Sequence, residues 1–303
     1  MTLLVLVPCT ASKRLLAPPE LRRRALHGVS VPTVASDWLG RIRGACECVP
    51  AHTLYKGGGW SQAIRAQRAA IARGGHAKVV SAGLGLVDWD QRVPPYDMTF
   101  TGGNADTVPG GETAEGRAAW WDAIGGPDKL EDVMMDGGHD LVIAALSDGY
   151  VDAVTPALVR IAGRLGAERV IVLACGVSPF ARAQLGGAWI QLEAARMRHL
   201  GGTVGNAALV ALNHVLSTLP VDEPVTAAAV RNCIDALPAP VALYPKRTRL
   251  GSEHAVRWLQ VALASEGAPT SASGALRRYR NEGFALEQKA FHRLFDDIRM
   301  VTT

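Results

Sequence analysis

Four short aliphatic runs leave this chain few architectures to choose from: "TLLVLV" at 2–7, "AKVVSA" at 77–82, "DLVIAALS" at 140–147 and "RVIVLA" at 169–174. Their apolar residues are continuous rather than alternating, as in strands covered on both faces, and parallel sheets flanked by helices meet that condition. Helical periodicity follows them at about 60–74, 115–124, 150–165 and 204–218. Strands alternating with helices imply an α/β fold with a mostly parallel sheet.

The strand exits carry unusual chemistry: "PCTASK", "SAGLGL", "SDGY" and "ACG". Ligands in open parallel sheets sit beyond the carboxyl ends of the strands, so four such exits on one edge suggest one site. Around 219–250 the sequence turns Pro-rich, and two or three amphipathic helices follow it. The expected organisation is an α/β domain over 1–222, a connector over 223–250 and a helical nucleic-acid- or partner-binding module over 251–303, compatible with a helix-turn-helix.

Composition narrows the class. With 48% apolar and 20% charged residues in 303, the chain reads as globular. No apolar run reaches the length of a membrane span, the start lacks the marks of a secretory signal, and five cysteines without framework spacing fit reduced thiols. A cytoplasmic location and no membrane partner are expected. The net charge of +4 permits nucleic acid, and between 241 and 280 seven cations face only Glu253 and Glu266.

Candidate site residues come from the exits. Cys9 follows Pro8 at a strand end with Lys13 four residues on, and a nearby ammonium favours the reactive thiolate. The plain alternative is a small buried residue at the sheet edge. Ser12, with Thr10 and Lys13, could equally form an anion-binding turn. In "SAGLGLVDWDQRVPPYD", Ser81, Gly83 and Gly85 suit close approach to a ligand, and Tyr96 and Asp97 offer a stacking face and a carboxylate, unless the stretch is an ordinary crossover loop. In "HTLYKGGGWSQA", Tyr55 and Trp60 flank a glycine triplet. Asp148 in "LSDGY" could be a general base or a helix cap. Arg277, Arg278 and Arg280 could place cations on phosphates or form a solvated face.

Walker A and G-x-G-x-x-G patterns are missing, and Cys46-x-Cys48 with His52 lacks a second pair, so no cofactor and no metal are expected.

Two blocks resemble the catalytic core of the archaeosine synthase family, which is related to tRNA-guanine transglycosylases and modifies a 7-deazaguanine base. The first is Pro8, Cys9, "TAS", Lys13; the second is Ser81, "LGLV" at 84–87, Tyr96-Asp97 and Thr101-Gly102. The match covers roughly residues 1–105. The S-A-x-x-G-L and P-Y-D pattern is also similar to a group of bacterial and phage proteins of unknown function.

The resemblance implies that Cys9 and Lys13 act on an electrophilic carbon of a nucleobase such as a nitrile, with Asp97 or Asp148 moving protons, Tyr96 or Trp60 stacking the base, and an amine- or ammonia-supplying partner. Two other readings stand beside it. One is an N-glycosidase or transglycosylase in which Asp148 or Asp97 stabilises a ribosyl cation and Cys9 is structural. The other is a noncatalytic DNA-binding stress or defence protein.

Overall fold

The structure, a computed structural model, describes residues 2–28, 30–240 and 247–302. The chain divides into two compact units, 1–240 and 241–303.

The larger unit is α/β. Its sheet has six strands: β1 (Leu3–Pro8), β2 (His76–Ser81), β3 (Gly85–Asp88), β4 (Leu141–Ala145), β5 (Val170–Ala174) and β6 (Trp189–Gln191). Their order is β3-β2-β1-β4-β5-β6, parallel throughout except for β3, which turns back antiparallel on β2. Every residue of β4 and β5 is buried, which explains the unbroken aliphatic runs.

Helices cover both faces: α1 (Val31–Arg43), α2 (Gly58–Ile71), α3 (Ala114–Ala123), α4 (Gly126–Asp136), α5 (Asp148–Leu165), α6 (Pro179–Leu185), α7 (Ala207–Thr218) and α8 (Ala227–Asp235). The α2 and α7 helices pack together on one face, with α8 on α7. On the other, α5 lies against α3, α4 and α6. Polar caps set several starts: Ser30 accepts from the Thr33 amide at α1, Thr113 from Gly116 at α3, and Ser178 from Ala181 at α6. Among the described residues no helix is long and apolar enough to cross a membrane.

The smaller unit holds α9 (Ser252–Ala264), α10 (Ala272–Asn281) and α11 (Gln288–Thr302) around Leu259, Leu276, Tyr279, Phe291 and Phe295. Ser271 caps α10. The turn at Gly283, where φ is +90°, does not lead straight into the last helix as a helix-turn-helix would. It enters the pair Phe284–Ala285, which lies parallel to Thr248–Arg249.

The expected connector over 223–250 and the 1–222 boundary need correction. Residues up to 240 belong to the larger unit, because Val225, Val230, Cys233 and Ile234 are buried in its core and α8 packs on α7. Pro220 and Pro224 fall within the unit, whereas Pro240 is its last residue. Residues 241–246 of that stretch lie outside the described residues.

Candidate functional site

β1 and β4 are neighbours whose onward connections leave in opposite directions, β1 toward β2 and β4 toward β5. Such a switch point opens a crevice at the carboxyl edge, since the connecting helices diverge to opposite faces. A cavity of about 520 Å³ occupies this position. Pro8 from β1, Ser147 to Gly149 after β4, and Cys175, Val177 and Ser178 after β5 contribute to its wall, with Phe100 to Gly102 and Val204 to Asn206 closing the sides.

Next to Pro8, the Cys9 amide donates to the Val80 carbonyl (2.9 Å), extending the β1–β2 ladder by one residue. The residue is 5% exposed, and its thiol lies 3.1 Å from Tyr150 Oη. Two further phenols gather nearby, with Tyr55 Oη 3.1 Å from Tyr96 Oη and the latter 2.6 Å from Ser81 Oγ. Ser81 Oγ also accepts from the amides of Gly83 and Leu84 (3.3 and 3.0 Å), so this hydroxyl is held by the turn it starts.

Lys13 pairs with Tyr55 through a backbone bridge, and its Nζ lies 4.3 Å from the centroid of the Tyr96 ring, a cation–π arrangement. Burial lowers its pKa from 10.5, against the opposing charges of Cys9, Asp97 and Asp106. The phenols move the other way. Burial, and then charge on Cys9, raise Tyr55, Tyr96 and Tyr150 above the usual 10.0, so they remain neutral hydrogen-bond donors.

Of the four strand exits, three therefore line the cavity, and the second does not. Ser81 meets the Cys9 neighbourhood through Tyr96, while Gly83 is packed inside the protein. Its carbonyl accepts from the Trp38 indole, and a Cβ there would come within 2.6 Å of the Tyr96 ring. Gly85 sits at φ +72° in the β2–β3 turn. Both glycines thus serve internal packing instead of approach to a ligand.

The expected stacking faces are likewise covered. Tyr55 and Tyr96 are fully buried and Trp60 is 2% exposed, lying between Tyr55 (4.9 Å) and a stacked Trp89 (5.0 Å). None can stack a base as placed. Ser12 is exposed, and its carbonyl, rather than its hydroxyl, ties the turn by accepting from Thr10 Oγ1 and the Lys56 amide. Asp97 is half-buried near Arg22 (3.8 Å), with its backbone bonded to Leu21 and Arg23. That leaves it a charge neighbour of Lys13 and a fastener of the 18–26 loop. Asp148 is exposed on the cavity wall as the first residue of α5; the capping position itself is Ser147.

Sequence reasoning missed Tyr150, although "SDGY" contains it, and the wall formed by Arg117, Asp152 and Ser178. Asp152 is 1% exposed and accepts from Arg117 Nη2 (2.8 Å), Arg117 Nε (3.2 Å) and Ser178 Oγ (2.5 Å). A buried carboxylate with three donors is a rigid strut joining α3, α5 and α6 behind the cavity. No local sequence pattern announces it, because the partners lie 26 to 35 residues apart.

In the smaller unit, Arg277 and Arg280 border a second cavity, whereas Arg278 turns to Glu282 (3.5 Å). Comparison with known protein families, with curated proteins and with solved structures finds no match for this chain.

Proposed function

We propose that the larger unit is a nucleobase-modifying enzyme in which Cys9 is the nucleophile, acting on a 7-deazaguanine-type base in nucleic acid or in a nucleotide-derived compound. The carrying observation is the grouping of a strand-end thiol with a phenol 3.1 Å away and a lysine of lowered pKa, beside a cavity at the switch point. The resemblance of the Pro-Cys and Tyr-Asp blocks supports the same reading.

The chemistry balances without a redox step. Lys13 in its deprotonated form, which burial favours, takes the thiol proton; the Cys9 thiolate adds to a nitrile carbon, and the nitrogen gains a proton to give a thioimidate. Ammonia or a primary amine then attacks that carbon, expels the thiolate and leaves an amidine, with the proton returned to Cys9. Tyr150 and its neighbours, protonated at neutral pH, donate hydrogen bonds where negative charge develops. A base within a duplex has to be extruded to reach the cavity.

One observation favours a second reading: Asp148 is exposed on the cavity while Cys9 is almost covered. In an N-glycosidase, Asp148 would stabilise a ribosyl cation and Cys9 would be structural.

Mass spectrometry of nucleosides from cells with and without the protein tests both. The thiol reading expects a base of altered mass that disappears in Cys9→Ser, with turnover down by more than about 10⁴-fold. The substitution retains a hydroxyl for Tyr150 and so spares the fold. Full activity in Cys9→Ser together with loss in Asp148→Asn would assign the glycosidase, and no change in any base would leave a noncatalytic protein.

A further inference from the structure

The whole formal charge of this protein resides in its smaller unit. Residues 241–303 carry ten Lys and Arg against six Asp and Glu, while 1–240 is balanced at 22 against 22. Eight of the ten cations are arginine. A planar guanidinium presents paired donors that match two phosphate oxygens, which a lysine ammonium does not.

These charges have local geometry. Ser273, Arg277 and Arg280 are spaced i, i+4, i+7 on α10, so they form one stripe. That stripe borders a cavity of about 590 Å³, completed by Arg247, Asn281 and Gln288. Among the described residues, Leu276 supplies the single apolar side chain of its lining, and no carboxylate lines it. The Arg247 guanidinium is held in place, donating through Nε to the Arg280 carbonyl (2.9 Å). Glu282, the nearest acid in sequence, is engaged by the Trp258 indole and by Arg278. Among the described residues the lining therefore offers three guanidiniums, one hydroxyl and two carboxamides beside Leu276.

We infer that this cavity binds the sugar–phosphate backbone of a nucleic acid, independently of sequence, through Arg247, Arg277 and Arg280. Its volume of about 590 Å³ exceeds that of one isolated anion, and the net positive charge of the unit favours a polyanion whose counterions are released on binding. Of the three arginines expected at the sequence level, two belong to this surface, and Arg247 replaces Arg278. The inference goes beyond the proposed base chemistry and does not depend on it, because binding is read without turnover.

The test is fluorescence anisotropy of labelled DNA duplexes of two unrelated sequences with the full-length protein, over a salt series. Arg277→Gln/Arg280→Gln should weaken binding to both duplexes alike and reduce the slope of log affinity against log salt by about 2, one unit per phosphate contact. Arg278→Gln should stay within about twofold of the wild type, as a surface pair of this kind contributes little. Arg277→Lys/Arg280→Lys keeps the charge and guards against a folding artefact; it should restore the salt slope but not the full affinity.

Absence of duplex binding by the wild type, an unchanged slope in the glutamine double variant, or an equal loss in Arg278→Gln would each overturn the inference. Inorganic phosphate separates the two sources of phosphate chemistry. Displacement of the duplex only at high phosphate supports a backbone site, whereas tight phosphate binding without duplex binding would assign a small-anion site and overturn it.

Discussion

Lys13 sits where its charge is disfavoured, and the three phenols around Cys9 sit where theirs would be. The two cases have opposite pH signatures. A lysine with its folded pKa below 10.5 binds fewer protons folded than unfolded in the window beneath that value, so its contribution to stability improves as pH rises through it. A phenol held above 10.0 keeps its proton in the folded protein after the unfolded chain has lost it, so stability falls as pH climbs past 10. With three phenols against one lysine, the alkaline loss dominates. Near-ultraviolet titration should show Tyr55, Tyr96 and Tyr150 ionising in one step that coincides with loss of circular dichroism. A separate, earlier ionisation of these residues would show that the cluster is open to water. At this scale the motifs named Cys9, Lys13, Ser81, Tyr55 and Tyr96, which the structure brings near one another. They misjudged the aromatic roles, because burial on all sides is a property of neighbours drawn from distant parts of the chain.

At the scale of elements, the second strand exit departs most from expectation. "SAGLGLVDWD" reads as a Gly-rich crossover loop, yet its second half forms β3 and returns along β2 with Ser81 opposite Gly85. Four residues are too few for periodicity to declare a strand, and only the pairing partner defines it. The turn leaves space at Gly83 for the rings of Tyr96 and Trp38. Gly83→Ala would place its methyl 2.6 Å from Tyr96 Cδ2 and 3.2 Å from Trp38 Cζ2. Overpacking of this kind should cost about 1–3 kcal/mol, read as a lower thermal midpoint, and should displace the ring beneath Lys13. An unchanged midpoint would mean that the turn relaxes freely. The exits after β1, β4 and β5 converge for a simpler reason: parallel neighbours place their carboxyl ends on one edge.

For the whole molecule, two hydrophobic clusters lie in separate units with no residue in common. A unit of about 60 residues buries a smaller share of its surface and is correspondingly less stable, at roughly 3–9 kcal/mol. Urea should therefore unfold the protein in two steps, the first with the shallower dependence because it exposes less area. Trp258 is the one tryptophan of the smaller unit, and the other six belong to the larger. Trp258→Phe should remove the first step from the fluorescence trace while leaving it in circular dichroism. A single transition, coincident by both probes, would instead show that the units unfold together.

By itself the sequence determined the class of fold, the four main parallel strands and the identity of the thiol that ends the first of them. These follow from local rules: continuous apolar runs, helical periodicity, capping residues, and the habit of parallel sheets to collect their carboxyl ends on one edge. Tertiary structure alone decided that Tyr150 faces Cys9, that Arg117 and Ser178 hold Asp152, that Tyr96 and Trp60 are buried, and that Arg247 rather than Arg278 joins the basic cavity. Each of these depends on which distant segments meet, and hence on packing and exclusion of water across the chain, which no spacing within a single segment records.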